Sequence, residues 1–263
     1  MLKKLLKYDL KWCYKSLSSF YFLIIFLAII ARILGNIEEN LIISFLNKIC
    51  LFSIIVVGIS IFIYCVMRNW TGFIRNIYKD ESYLTHTLPV SKNSIFLSKI
   101  LTAAITVFTS FAIVIIGIAI GYLNESSWSA LKAYFEQSEL ILNSSLTSIV
   151  SVLLIGIFFD VLFIIMCGVI GIIIGYRSNN SKVIKSVVVG YALNTFLSGL
   201  SYVILYILGL VNPDIMAAFN NTNEVSSNTI RCLIMYATVL YGVYVLIMYV
   251  IGNKLLNNGV DVD

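Results

Sequence analysis

Residues 100–123, ILTAAITVFTSFAIVIIGIAIGYL, run for 24 positions without a charged side chain. About 18 to 20 such residues suffice to carry a helix across the roughly 30 Å hydrocarbon core of a bilayer. Five more long apolar stretches, each with at most one charged residue, surround this one, at 18–35, 42–67, 146–176, 186–211 and 230–252. The bilayer core offers backbone groups no water, so spans of this length must be helices. The sequence therefore predicts an all-α membrane protein with six transmembrane helices over 17–252. Function is narrowed to transport, signalling, intramembrane catalysis or assembly.

Composition agrees. The chain is 60% hydrophobic and 12% charged, against about 25% charged residues in ordinary soluble domains. Six spans and their loops leave no room between them for a soluble domain of about 100 residues. The basic residues orient the chain. Lys3, Lys4, Lys7, Lys11 and Lys15 precede span 1. Arg68, Arg75, Lys79, Lys92 and Lys99 lie between spans 2 and 3. Arg177, Lys182 and Lys185 lie between spans 4 and 5, and Lys254 follows span 6. Only Arg32, Lys48, Lys132 and Arg231 fall on the other side. Lys and Arg concentrate in cytoplasmic loops, which puts both termini, including the 253–263 tail, in the cytoplasm. The net charge of +5 follows from this asymmetry and gives no case for a nucleic-acid partner.

Residues 1–16 are amphipathic, with Leu2, Leu5, Leu6, Leu10 and Cys13 on one side and five lysines on the other. With Trp12 they predict a helix lying on the inner leaflet before span 1. Span 1 is longer than a signal-peptide core and reads as a retained anchor. The five cysteines are scattered, with neither metal-ligand nor disulfide spacing, and read as small apolar packing residues. No metal or catalytic residue is expected.

Two spans carry polar stripes. Ser53, Ser60 and Tyr64 lie along span 2, and Gly190, Asn194, Ser198 and Ser201 along span 5. Residues three, four or seven apart share a helix face. Such stripes serve either helix packing or the lining of a substrate path. Gly117 and Gly121 in span 3, and Gly168, Gly171 and Gly175 in span 4, permit close helix approach. Asp160 is the one acidic residue deep inside a span. A charge at the bilayer centre costs about 2.5–3.5 kcal/mol on insertion scales, so it normally faces water or a partner. It is a candidate cavity-lining residue, and Arg32 and Arg231 are candidate partners.

The loop 68–99 is the richest polar segment. It mixes Trp70, Phe73, Tyr78 and Tyr83 with charges, and predicts one or two short helices over about 70–86, ended before Pro89. Ser91 is then placed to cap the helix of span 3. Such a loop suits a docking surface. His86, the only histidine, reads as an interface residue rather than a catalyst. No phosphate-binding G-x-x-x-x-G-K-[ST] loop is present, so this chain would not hydrolyse ATP by that means.

The order of amphipathic N-terminal helix, six spans, basic loop between spans 2 and 3 and longer outer loop between spans 5 and 6 resembles a family. Within it, Glu81-Ser82-Tyr83-Leu84-Thr85-His86-Thr87-Leu88-Pro89-Val90-Ser91, followed by Lys99, is similar to a stretch in the permease subunit of bacterial class-2 ATP-binding-cassette (ABC) exporters. The Gly-Thr pair with a following Glu that is common there is not evident. The resemblance implies a cytoplasmic coupling helix seated on a separate ATPase subunit, which would bind ATP and Mg. Glu81, Tyr83, Leu84, His86, Leu88 and Pro89 would make that contact. It also implies a second permease chain, as homodimer or paralogous heterodimer, in the bacterial cytoplasmic membrane. The cargo would be a peptide toxin (phenol-soluble modulins are one kind), an antimicrobial peptide or a lipid-like compound. Spans 2 and 5 would line its path. A non-transporting immunity or sensor subunit that binds an antimicrobial peptide, and a secondary transporter, remain open alternatives.

Overall fold

The computed structural model describes residues 2–37, 41–79, 81–82, 87, 90–123, 128–130, 132–133, 136, 146–178, 180–212, 215–216 and 227–257. Six long helices account for the apolar stretches: α1 Leu2–Gly35, α2 Leu41–Tyr78, α3 Lys92–Tyr122, α4 Leu146–Gly175, α5 Lys182–Val211 and α6 Ser227–Asn257. Each is long and apolar enough to cross a membrane. The chain is an all-α, multi-span membrane protein.

The helices are longer than the apolar stretches inside them. The 38 residues of α2 span about 57 Å at 1.5 Å per residue, against about 30 Å of hydrocarbon. Residues 1–16 run on into span 1, because α1 is unbroken from Leu2 to Gly35. No Gly or Pro interrupts residues 2–34, so nothing there favours a break. Likewise residues 70–78 continue α2 instead of forming a short helix of their own. Ser91 does cap α3. Its hydroxyl receives the Ser94 N–H at 3.4 Å, the geometry of an N-cap side chain to the third helical residue.

The chain forms two compact units. The first comprises Met1–Gly72 and Leu97–Tyr134, and the second Phe73–Phe96 and Phe135–Asp263. In the first unit α1 buries Cys13, Leu17, Tyr21, Ile24, Ala28 and Ala31 along one face. Gly117 approaches Ile24, and Gly121 approaches Ile54, Leu51 and Ala28, so this glycine pair serves close packing. A seam of hydroxyls runs down α3: Ser98, Thr102, Thr106 and Ser110, each at most 2% exposed. Thr102, Thr106 and Ser110 donate to the carbonyls four residues back, at 2.7–2.9 Å. Neighbouring helices use the same seam. Tyr21 Oη meets Ser110 Oγ at 2.7 Å, and Asn69 Nδ2 donates to Thr106 Oγ1 at 3.2 Å. At its basic end Lys99 Nζ pairs with Asp9 Oδ1 at 2.5 Å, both side chains being 12–13% exposed. Ser98 Oγ donates to the other Asp9 oxygen at 2.8 Å. Arg68 lies over the Trp12 ring, 3.4 Å from its centroid.

In the second unit α4 is clasped between α5 and α6. Cβ atoms built on Gly171 would meet Ser186 O at 2.5 Å and Gly190 N at 2.6 Å. Only a glycine permits that backbone contact. Gly175 abuts Ser186 in the same way. Cys13, Cys65 and Cys167 are buried free thiols, filling space as expected of small apolar side chains.

Candidate functional site

Asp160 marks the first site. Gly156, Asp160 and Phe163 are spaced four and three residues apart, so they lie on one face of α4. That face meets α6. A Cβ on Gly156 would reach Thr238 Oγ1 at 2.9 Å, and the Phe163 ring lies 5.3 Å from Tyr241 and 5.7 Å from Tyr244. Asp160 is therefore set between the levels of Thr238 and Tyr241. Tyr241 interacts electrostatically with Asp160 and Tyr202 and shares a side-chain hydrogen bond with Ser198 of α5. Ser198 Oγ in turn donates to Asn194 Oδ1 at 3.2 Å, and Ser201 Oγ to Tyr244 Oη at 3.3 Å.

Three helices thus bring Asp160, Asn194, Ser198 and Ser201 into one cluster with Tyr202, Tyr241 and Tyr244. The four polar residues were legible as candidates; the tyrosines were not singled out. Their only sequence signal is the repeat of Tyr at 241 and 244, three apart inside an apolar run. The hydroxyls and amide hydrogen-bond within the cluster. Asp160 has no hydrogen bond or ion pair among the described residues. Among the described residues no ion pair joins it to either expected arginine: Arg32 donates to the Leu123 carbonyl, and Arg231 lies ten residues before Tyr241 in α6, about 15 Å along the helix.

The stripe of α2 has another character. Ser53 and Ser60 donate to the carbonyls of Ile49 and Val56, both at 2.8 Å, and Tyr64 packs on Phe20 with ring centroids 4.8 Å apart. Hydroxyls satisfied by their own helix make a smooth packing surface. These residues lie in the first unit and the Asp160 cluster in the second.

The connection between α2 and α3 is the second site. Of its expected contact residues, Tyr83, Leu84, His86, Leu88 and Pro89 lie outside the described residues. Glu81 is described and pairs with Arg75. Both side chains are more than a third exposed, so the pair adds little stability. Phe73 and Tyr78, read as part of a docking surface, are instead buried. Phe73 lies edge-on to Phe96, which stacks on Tyr249 of α6 at 5.8 Å. Tyr78 meets Tyr176, just past α4, at 4.6 Å. Lys92 Nζ donates to Leu256 O at 3.5 Å, and Asn257 Nδ2 to Asn93 Oδ1 at 2.9 Å. Both ends of the connection are thereby fixed to α6 and to the end of α4, the helix that carries Asp160. Lys99 is occupied by Asp9. No family model, curated protein or solved structure matches this chain.

Proposed function

We propose that this chain is the membrane subunit of an ATP-driven exporter in the bacterial cytoplasmic membrane, energised by a separate ABC-type ATPase that binds ATP and Mg. The observation that carries the reading is the mounting of residues 73–96. They belong to the same compact unit as α4, α5 and α6, through the Phe73–Phe96–Tyr249 and Tyr78–Tyr176 ring contacts. A push on the 79–91 connection from a docked ATPase would therefore move helices bearing the polar cluster. Densely packed rings transmit such displacement with little give. A second permease chain completes the transporter. The cargo is an amphipathic or hydrophobic molecule: a peptide toxin, an antimicrobial peptide or a lipid-like compound.

The test is a search for an ABC ATPase encoded beside this chain, followed by co-purification with it. Tyr83→Ala and Leu84→Ala weaken it, since apolar anchors dominate such contacts, a hot-spot truncation costing about 2 kcal/mol or more. Glu81→Ala leaves assembly intact and uncouples hydrolysis from transport, because a rim charge orients more than it binds. Unchanged co-purification in both apolar variants refutes the docking assignment. One observation favours a second reading, a secondary transporter: a membrane-embedded carboxyl with no ion-pair partner among the described residues suits ion coupling. Uptake driven by an ion gradient without ATP would establish it.

A further inference from the structure

We propose that the Asp160 cluster binds the positively charged group of an apolar ligand, an ammonium or guanidinium on a hydrophobic body. As a statement about cargo this rests on the exporter reading; as a statement about binding it does not. Asp160 is half-buried in α4, within a helix whose 30 residues carry no other charge. A carboxylate in such a place loses solvation, and a counter-charge restores most of the loss. Among the described residues none supplies it. The polar neighbours are committed elsewhere: Ser198 to Asn194 and Tyr241, and Ser201 to Tyr244.

Tyr241, which interacts with the carboxylate, belongs to a group of rings. The rings of Phe163, Tyr241 and Tyr244 lie within 5.3–6.4 Å of one another. Ring faces carry negative potential and attract cations, most strongly where water is excluded. Carboxylate and rings therefore favour the same sign of charge. An apolar body is favoured too, because the surrounding face of α4 offers only hydrocarbon. Anions of the same shape gain neither interaction and meet repulsion from Asp160. The cation itself has two possible sources, an organic ligand or an inorganic ion, and one assay separates them.

Tetraphenylphosphonium and tetraphenylborate have nearly the same size and opposite charge. Their binding is measured on the full-length protein in nanodiscs, with protein-free nanodiscs subtracted. The expected result is preference for the phosphonium by about ten-fold or more, equivalent to about 1.4 kcal/mol. Asp160→Asn removes that preference and Asp160→Glu retains it. Equal binding of the two ions by the wild-type protein overturns the proposal, whether or not the variants fold. So does an Asp160→Asn protein with the wild-type preference. Displacement of the phosphonium by sodium, and not by potassium or lithium, assigns the site to an inorganic ion and likewise overturns it. None of these outcomes bears on whether the ATPase docks at 79–91, which co-purification decides separately.

Discussion

Replacing Gly171 by Ala probes a contact made entirely of backbone, where α4 meets α5. The new methyl carbon would lie 2.5 Å from Ser186 O, 2.6 Å from Gly190 N and 2.7 Å from Gly190 Cα. All three atoms are backbone, so no rotamer change relieves the clash. Ordinary contact begins at 3.4 Å, and α4 and α5 must part by about 1 Å, which a close-packed interior resists. Overpacking of this kind costs about 1–3 kcal/mol. The intrinsic gain of Ala over Gly in a helix, about 0.5–1 kcal/mol, offsets part of that. The net loss is about 0–2.5 kcal/mol. Gly199→Ala is the control, because a Cβ there meets nothing within 4 Å and keeps only the helix gain. The helix gain is common to both, so the two variants should differ by the overpacking cost alone, about 1–3 kcal/mol. Thermal unfolding in detergent, followed through reaction of the buried Cys13, Cys65 and Cys167 thiols, measures this. Cys50 and Cys232, less buried, are first replaced by Ser. Equal stability of Gly171→Ala and Gly199→Ala would refute the account of the α4–α5 seam.

Two further predictions concern the ion pair and the orientation. Lys99→Met removes the cation beside Asp9, whose side chain is 12% exposed, and leaves it the Ser98 hydroxyl; the loss should reach at most about 3–5 kcal/mol. Asp9→Asn added to it recovers most of that loss, and strict additivity in the double-mutant cycle would exclude a direct pair. For orientation, a cysteine at position 224 of an otherwise Cys-free chain should react with an impermeant thiol reagent in intact cells. One at position 81 should react only after lysis, and the reverse pattern would invert the topology.

The six helices were legible because a bilayer crossing requires a minimum length of uncharged sequence, a property visible without any knowledge of packing. Their ends were not legible. Hydropathy falls where a helix leaves the hydrocarbon, whereas the helix stops where a breaker intervenes, and α1 and α2 continue well past their apolar stretches. The seam Ser98, Thr102, Thr106 and Ser110 has a regular four-residue spacing in the sequence. It escaped notice because single hydroxyls scarcely lower the hydropathy of an apolar run, and because their i−4 carbonyl bonds make them compatible with it. Asp160 stood out as a charge at depth. Tyr241 did not, since only packing across α4, α5 and α6 reveals which tyrosine of an aromatic-rich helix adjoins the carboxylate. Phe73 and Tyr78 misled for a related reason: aromatic residues beside charges look like a docking surface, whereas here they fix the connection to its own unit.

The central claim is that force enters through the connection between α2 and α3. The most direct measurement is ATP-dependent export into inverted vesicles carrying this chain and its ATPase, with residues 81–87 replaced by a Gly/Ser stretch. Loss of export together with loss of ATPase co-purification, in a protein that retains wild-type thermal stability, is the predicted result. Export at the wild-type rate from the replaced chain would contradict the coupling assignment and the exporter reading built on it.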